Sequence, residues 1–186
     1  SDVYKRQILK EGLQSDWTNK EKIADLLLFE SSSKDAGEKI SLSDYVENMD
    51  DNQNEIFYLA GESRSQIENS PYLEGYKSNE QNVLLMIDPI DDFVIPQLME
   101  YKGKKLKAIN KGESSSDDKS DDEKKIFDGY IGYAKELLDG VKDVKITSRL
   151  KESAAVLVGD EFSASPHIEE MMKKICLLYT SDAADE

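Results

Sequence analysis

The amino-acid sequence predicts an α/β protein, a small α/β/α layer followed by an incomplete α+β unit, on three observations. Within residues 82–88 (NVLLMID) the central side chains form an unbroken apolar run of strand length, the pattern of a parallel strand covered on both faces. Strand-like and helix-like segments alternate on either side of it, as βαβ units do. Residues 110–122 (NKGESSSDDKSDD) then hold no apolar side chain, so a linker or solvated loop divides the chain in two.

The first helix is expected from Thr18. Thr18-Asn19-Lys20-Glu21 has the form of a capping box, Trp17 stands in position for a hydrophobic staple, and Ile23, Leu26, Leu27 and Phe29 continue an apolar stripe. Residues 31–39, with three serines and Gly37, read as a loop. Ser41-Leu42-Ser43-Asp44 opens a short helix carrying Leu42, Tyr45, Val46 and Met49, and residues 55–60 (EIFYLA) read as a strand. Ser63 with Gln66 caps another short helix that ends at Asn69-Ser70. Pro71, suited to a first helical turn, starts the next, whose apolar face is Tyr72, Leu73 and Tyr76.

Asp88-Pro89 stops the buried run, and residues 90–100 predict a helix with Phe93, Val94, Leu98 and Met99, kinked or limited by Pro96. Residues 104–109 (KKLKAI) predict a third strand. Beyond the linker, Ser120-Asp121-Asp122-Glu123 again has capping-box form. It precedes a long amphipathic helix bearing Ile126, Phe127, Tyr130, Ile131, Tyr133, Ala134, Leu137 and Leu138. Residues 141–146 (VKDVKI) and 154–158 (AAVLV) are strand candidates, and Ser165-Pro166 starts a last helix with Ile168, Met171, Met172 and Ile175.

Composition bounds the partners. Thirty-nine acidic against 24 basic residues in 186 leave a formal charge of −15. Phosphate-driven nucleic-acid binding and attachment to an anionic membrane are therefore disfavoured. No apolar run approaches the ~18 residues of a membrane span. One Cys and one His exclude an intrachain disulfide and a Cys/His metal cluster, and fit a reducing, cytoplasmic location. Residues 1–7 (SDVYKRQ) and 176–186 (CLLYTSDAADE) resemble neither signal peptide nor domain. Back-translated, they permit the end of a common transposase adapter and its reverse complement. Both are expected to be translated sequencing-library adapter, with residues 8–175 the natural segment.

Few residues carry chemistry. Neither a Walker-type loop nor G-x-G-x-x-G is present, so nucleotide binding by those means is not expected. Asp88, Asp91 and Asp92 cluster where open α/β sheets place catalytic groups, at the end of a buried strand. Two such carboxylates can divide into acid and base, the reading of an Asp-based hydrolase. The plainer reading has them cap the next helix and favour its positive end. His167, without a second His, reads as an exposed polar residue. Met171 and Met172 suit an adaptable apolar surface or a core position, and the SSSDD run suits a solvated linker or an acid-directed phosphorylation site.

Several short words in fixed order carry a resemblance. They are SLSDYVENM (residues 41–49), EIFYL (55–59) followed by Ala60-Gly61-Glu62, NSPYLE (69–74), VLLMIDPIDDF (83–93), KITSRL (145–150) and AAVLV. Together they resemble the heat shock protein 90 family of molecular chaperones, most closely its bacterial type. The resemblance places residues 8–110 in the distal middle domain, 111–122 in a linker and 123–175 in the start of the C-terminal dimerisation domain. It implies that the ATP site, with its Mg²⁺, lies in an N-terminal domain outside this chain. The arginine loop that reaches the γ-phosphate lies earlier in the middle domain, and the dimer-forming helices lie beyond Ile175.

No catalytic, cofactor-binding or metal-binding residue is therefore expected here. What the resemblance does assign is client contact: the helix after the D-x-I-D-[DE] turn presents an aromatic toward the face where unfolded proteins bind, and the matching positions are Asp92 and Phe93. An exposed ring offers apolar contact, and neighbouring acids favour basic clients. The chain departs from the family in one place, with Leu28 where a basic residue usually precedes the aromatic Phe29. The expected function is a segment of an ATP-dependent chaperone that contributes client surface and interdomain coupling. Its partners are unfolded or partly folded client proteins, the N-terminal ATPase domain and a C-terminal dimer partner. The alternative is a stand-alone acidic protein-interaction module.

Overall fold

The computed structural model describes residues 8–10, 12–13, 16, 18–50, 52–112, 121–138 and 141–159, without the side chains of residues 92, 93 and 121–126. The two terminal runs, Trp17, the SSSDD run, Ser120 and the final helix with His167, Met171 and Met172 lie outside the described residues.

Six strands form one sheet in the order β2-β1-β4-β3-β6-β5. They are β1 (Leu28–Ser31), β2 (Lys39–Ser41), β3 (Glu55–Ala60), β4 (Leu84–Met86), β5 (Glu100–Tyr101) and β6 (Lys104–Ala108). The centre is parallel: β3 pairs with β4 (Leu59 opposite Leu85) and with β6 (Phe57 opposite Lys107). Both flanks are antiparallel, β1 with β4 and β2, and β5 with β6.

The helices are α1 (Lys20–Asp25), α2 (Leu42–Glu47), α3 (Arg64–Glu68), α4 (Pro71–Ser78), α5 (Asp91–Leu98) and α6 (Asp121–Leu137). Side chains alternate across the sheet as a pleated strand requires. Ile56, Tyr58, Leu84 and Met86 face Ala24, Leu42, Tyr45, Val94, Ile95 and Leu98 of α1, α2 and α5. Phe57, Leu59, Val83 and Leu85 face Ile67, Leu73 and Tyr76 of α3 and α4. This is the α/β/α layering that the unalternating run of β4 implies.

Polar groups tie the layers. Ser41 and Asp44 complete a capping box at α2. The Tyr45 hydroxyl donates to the Asn82 carbonyl (2.6 Å) and accepts from Phe57 N (3.2 Å) and Gln53 Nε2 (3.1 Å), so a buried hydroxyl is fully satisfied between β3 and β4. Arg64 binds Glu30 and Glu68 (2.8 and 2.7 Å) and the carbonyls of Ser31 and Lys34, fixing α3 to the loop after β1.

Several sequence-based expectations are corrected. Thr18 caps nothing: α1 starts at Lys20, and Asp16 instead accepts from Asn19 N and Nδ2 at 3.1 and 2.8 Å. Phe29 belongs to β1, not to the helical stripe, while Leu26 is 62% exposed. The loop expected over residues 31–39 ends one residue earlier, because Lys39 opens β2 against β1. Met99 lies past the end of α5 with φ +54, and Glu100, expected as the last residue of the helix, instead opens β5; a Lys102-Gly103 turn, positive in φ at both residues, closes its hairpin with β6. In the second half neither 141–146 nor 154–158 forms a strand. Those segments find no ladder with each other, and a lone hairpin is marginal in water. The chain instead docks on α4, and among the described residues Lys111 forms an isolated bridge with Gly159.

Candidate functional site

The parallel strand β4 ends at Met86, and residues 87–90 lead into α5. Asp91 N donates to Asp88 O (2.9 Å), which forms the turn, and Val94 N to Ile90 O (3.1 Å), which opens the helix. The N-cap is Ile90, without a side-chain cap bond. For Asp88 and Asp91 the expectation that they cap this helix therefore gives way to a different arrangement. Lys10, on a short helical stretch ahead of α1, places Nζ 3.0 Å from Asp88 Oδ2 and 2.6 Å from Asp91 Oδ1. The Asp91 contact is an ion pair rather than a well-aligned hydrogen bond. The Phe29 ring lies 5.7 Å from the ammonium, within cation–π range.

Lys10 and Asp91 are 5% and 2% exposed, so one cation and two carboxylates share a low-dielectric site. Burial pushes the Asp91 carboxyl up to about 6, with Lys10 opposing and the Asp88 charge adding to the rise. This geometry brings together the pair of carboxylates that the hydrolase reading needs. It also fills the space between them with an ammonium and hides Asp91 from any substrate, which argues against acid–base work. Among the described residues no group of three or more His, Cys, Asp or Glu is arranged to hold a metal ion. With Lys10 bridging the carboxylates, these residues do not fit Mg²⁺. Asp92 and Phe93 lie on the first turn of α5 immediately after Asp91. Lys10 escaped sequence reasoning because a single lysine beside Leu9 and Leu13 carries no motif.

A second polar cluster joins the two halves. Glu74, in the first turn of α4, accepts from the backbone N–H groups of Lys151 (2.6 Å), Glu152 (3.0 Å) and Ser153 (3.4 Å), and from the Ser153 hydroxyl. These donors hold its carboxyl down at about 2. The Tyr72 hydroxyl donates to the Leu157 carbonyl, and the Gly75 Cα faces Arg149 so closely that a Cβ there would lie 2.9 Å from the Arg149 Cβ. Residues 72–75, at and just past the end of NSPYLE, and residues 149–157, from the end of KITSRL onward, are far apart in sequence and thus meet in space.

A mixed sheet with a parallel centre, layered between helices, carries these words in this order, and the comparisons give the family. The Hsp90 protein family model matches residues 3–184. The chain belongs to the Hsp90 family and is of the bacterial HtpG type. It is 40% identical over 177 residues to the chaperone protein HtpG of Geobacter metallireducens, covering 90% of this chain and 27% of that protein. It is 39% identical to HtpG of Geobacter sulfurreducens (92% and 28% covered) and 41% identical to that of Frankia casuarinae (89% and 27%). The chain thus spans little more than a quarter of the length of these relatives. No helix among the described residues is long and apolar enough to cross a membrane.

Proposed function

We propose that this chain is the part of a cytoplasmic, ATP-dependent chaperone that offers client-binding surface and links it to movements driven by ATP elsewhere in the protein. The observation that carries the reading is the position of α5. It starts at the C-terminal end of a buried parallel strand, where open α/β sheets present their working residues, and its first turn holds Asp92 and Phe93. Membership of a family whose relatives are named chaperones supports it. ATP and Mg²⁺ belong to another part of the whole protein. These residues contribute an apolar ring for unfolded chains and an acidic surface that favours basic clients and discourages self-association. The docking of residues 149–157 on α4 supports the coupling role, because a reorientation of either half must act on this contact.

The test uses the whole protein and a permanently unfolded probe, reduced and carboxymethylated albumin. Phe93→Ala is expected to weaken binding about tenfold, as loss of a buried aromatic anchor does, and Asp92→Asn less. Unchanged affinity in both variants overturns the assignment of the site.

A further inference from the structure

The turn that launches α5 is held from outside its own element. α5 has no side-chain cap at its N-terminus, and Pro96 removes an amide from its interior, so the helix is poorly equipped to fix its own first turn. The ammonium of Lys10 bridges Asp88, before the turn, and Asp91, the first helical residue, at 3.0 and 2.6 Å. Leu13, 1% exposed, anchors the same stretch in the core, where it shares a cluster with Val94, Ile95 and Leu98 of α5. We propose that Lys10 is the positioning residue of the client-binding site, clamping the first turn of α5 that carries Asp92 and Phe93. This rests on the client-binding reading of those two residues and adds a residue to it.

The clamp has a titration signature. The groups facing Asp91 are the Lys10 ammonium and the Asp88 carboxylate. With its carboxyl at about 6 in the folded protein against 3.8 as a free group, Asp91 binds a proton more tightly when α5 is closed. Closed α5 is therefore favoured more at pH 5 than at pH 7. Removing the cation that opposes this proton must push the midpoint to higher pH, and removing the carboxylate must abolish it.

The experiment measures hydrogen exchange of the α5 amides in the whole protein between pH 5 and 8, corrected for the intrinsic rate, beside albumin binding. In Lys10→Met, exchange at residues 91–94 is expected to rise about tenfold at pH 7 with albumin binding weakened, and both recover in Lys10→Arg. The protection midpoint near pH 6 moves upward in Lys10→Met and is lost in Asp91→Asn. Equal acceleration of α5 and of β3 and β4 in Lys10→Met means general destabilisation and overturns the proposal, as does unchanged exchange at α5. Should Lys10→Met not fold, a flat wild-type profile across pH 6 overturns it equally. If Phe93→Ala weakens albumin binding and Lys10→Met does not, the positioning role alone falls. If neither variant affects binding while α5 loosens, the client-site reading itself has failed.

Discussion

Residues 20–112 and residues 121–159 are both written with apolar periodicity, yet only the first set buries it. Leu42, Ile56, Leu73, Leu84 and Ile95 are each 0% exposed, whereas Phe127, Tyr130, Tyr133 and Leu137 along α6 are 43, 73, 65 and 65% exposed. The first unit supplies both covers of its own sheet, α1, α2 and α5 on one face and α3 and α4 on the other. α6 has the stripe and no described layer against it. Periodicity specifies which face seeks cover, and only partners in space decide whether that face is covered.

Truncation of core side chains gives the largest expected contrast. Leu84→Ala or Ile56→Ala should cost ~2–5 kcal/mol, as cavities in packed cores do. Tyr130→Ser in α6 should stay within about 0.5 kcal/mol, as surface changes do. Urea unfolding followed by far-UV circular dichroism measures both. An equal cost at Tyr130 would break the comparison, because it would mean that the α6 stripe is covered in solution.

Legibility follows the same division. Segments whose pattern is answered within a few residues could be read directly: β3, the Ser41 capping box, Ser63 before α3 and Pro71 at the start of α4 all stand where the sequence put them. β1, β2 and β5 could not be read. Each is two to four residues long and becomes a strand by pairing with a distant neighbour, which no local window contains. The strands expected at 141–146 and 154–158 show the converse, a local pattern without a neighbour to pair. At the site the carboxylates were legible as a motif, while Lys10, nearly eighty residues away in sequence, was not. The capping reading fails for Asp88 and Asp91, whose oxygens meet the Lys10 ammonium while the N-cap position is Ile90. Glu74 was overlooked for a related reason, since its four donors lie more than seventy-five residues away, between the two segments expected as strands.

The two carboxyls also respond to acid in opposite senses, which sharpens the comparison between the buried site and the junction. Asp91 is raised, from 3.8 to about 6, so the folded state gains protons. Its contribution to stability is fully present below pH 4 and is lost as pH rises through 6, by up to about 3 kcal/mol. Glu74 is lowered, from 4.5 to about 2. Its contribution is present above pH 4.5 and is lost as pH falls toward 2, and the groups it holds are the amides of Lys151 to Ser153. Melting from pH 2.5 to 7 should therefore show a rise in stability on acidification through 6 that Asp91→Asn removes. Hydrogen exchange should show the 151–153 amides released at the acid end, an effect that Glu74→Gln brings to neutral pH. A wild-type melting temperature that is flat between pH 4 and 7 would contradict the account of Asp91.

The smallest effects come from glycines, and they separate the two regions most cleanly. Replacing a helical glycine with alanine gains up to about 1 kcal/mol from propensity when the new methyl meets nothing. Gly129 in α6 is such a position, with nothing within 4 Å of an added Cβ. Gly129→Ala should raise helix content and leave every other contact alone. Gly75 in α4 has the same propensity to gain, but its Cβ would lie 2.9 Å from the Cβ of Arg149 and 3.1 Å from its carbonyl oxygen. Two of the three nearest atoms, the Arg149 carbonyl oxygen and Cα, are backbone, so it is the 149–153 segment that must shift. Gly75→Ala should thus leave the first unit's melting within about 1 kcal/mol of wild type, because the helical gain offsets the local strain. The same change should accelerate exchange at Lys151 to Ser153, whose amides reach Glu74 one residue away. Unchanged exchange there would mean that the two halves touch at α4 without depending on it, and the junction would lose its claim to couple them.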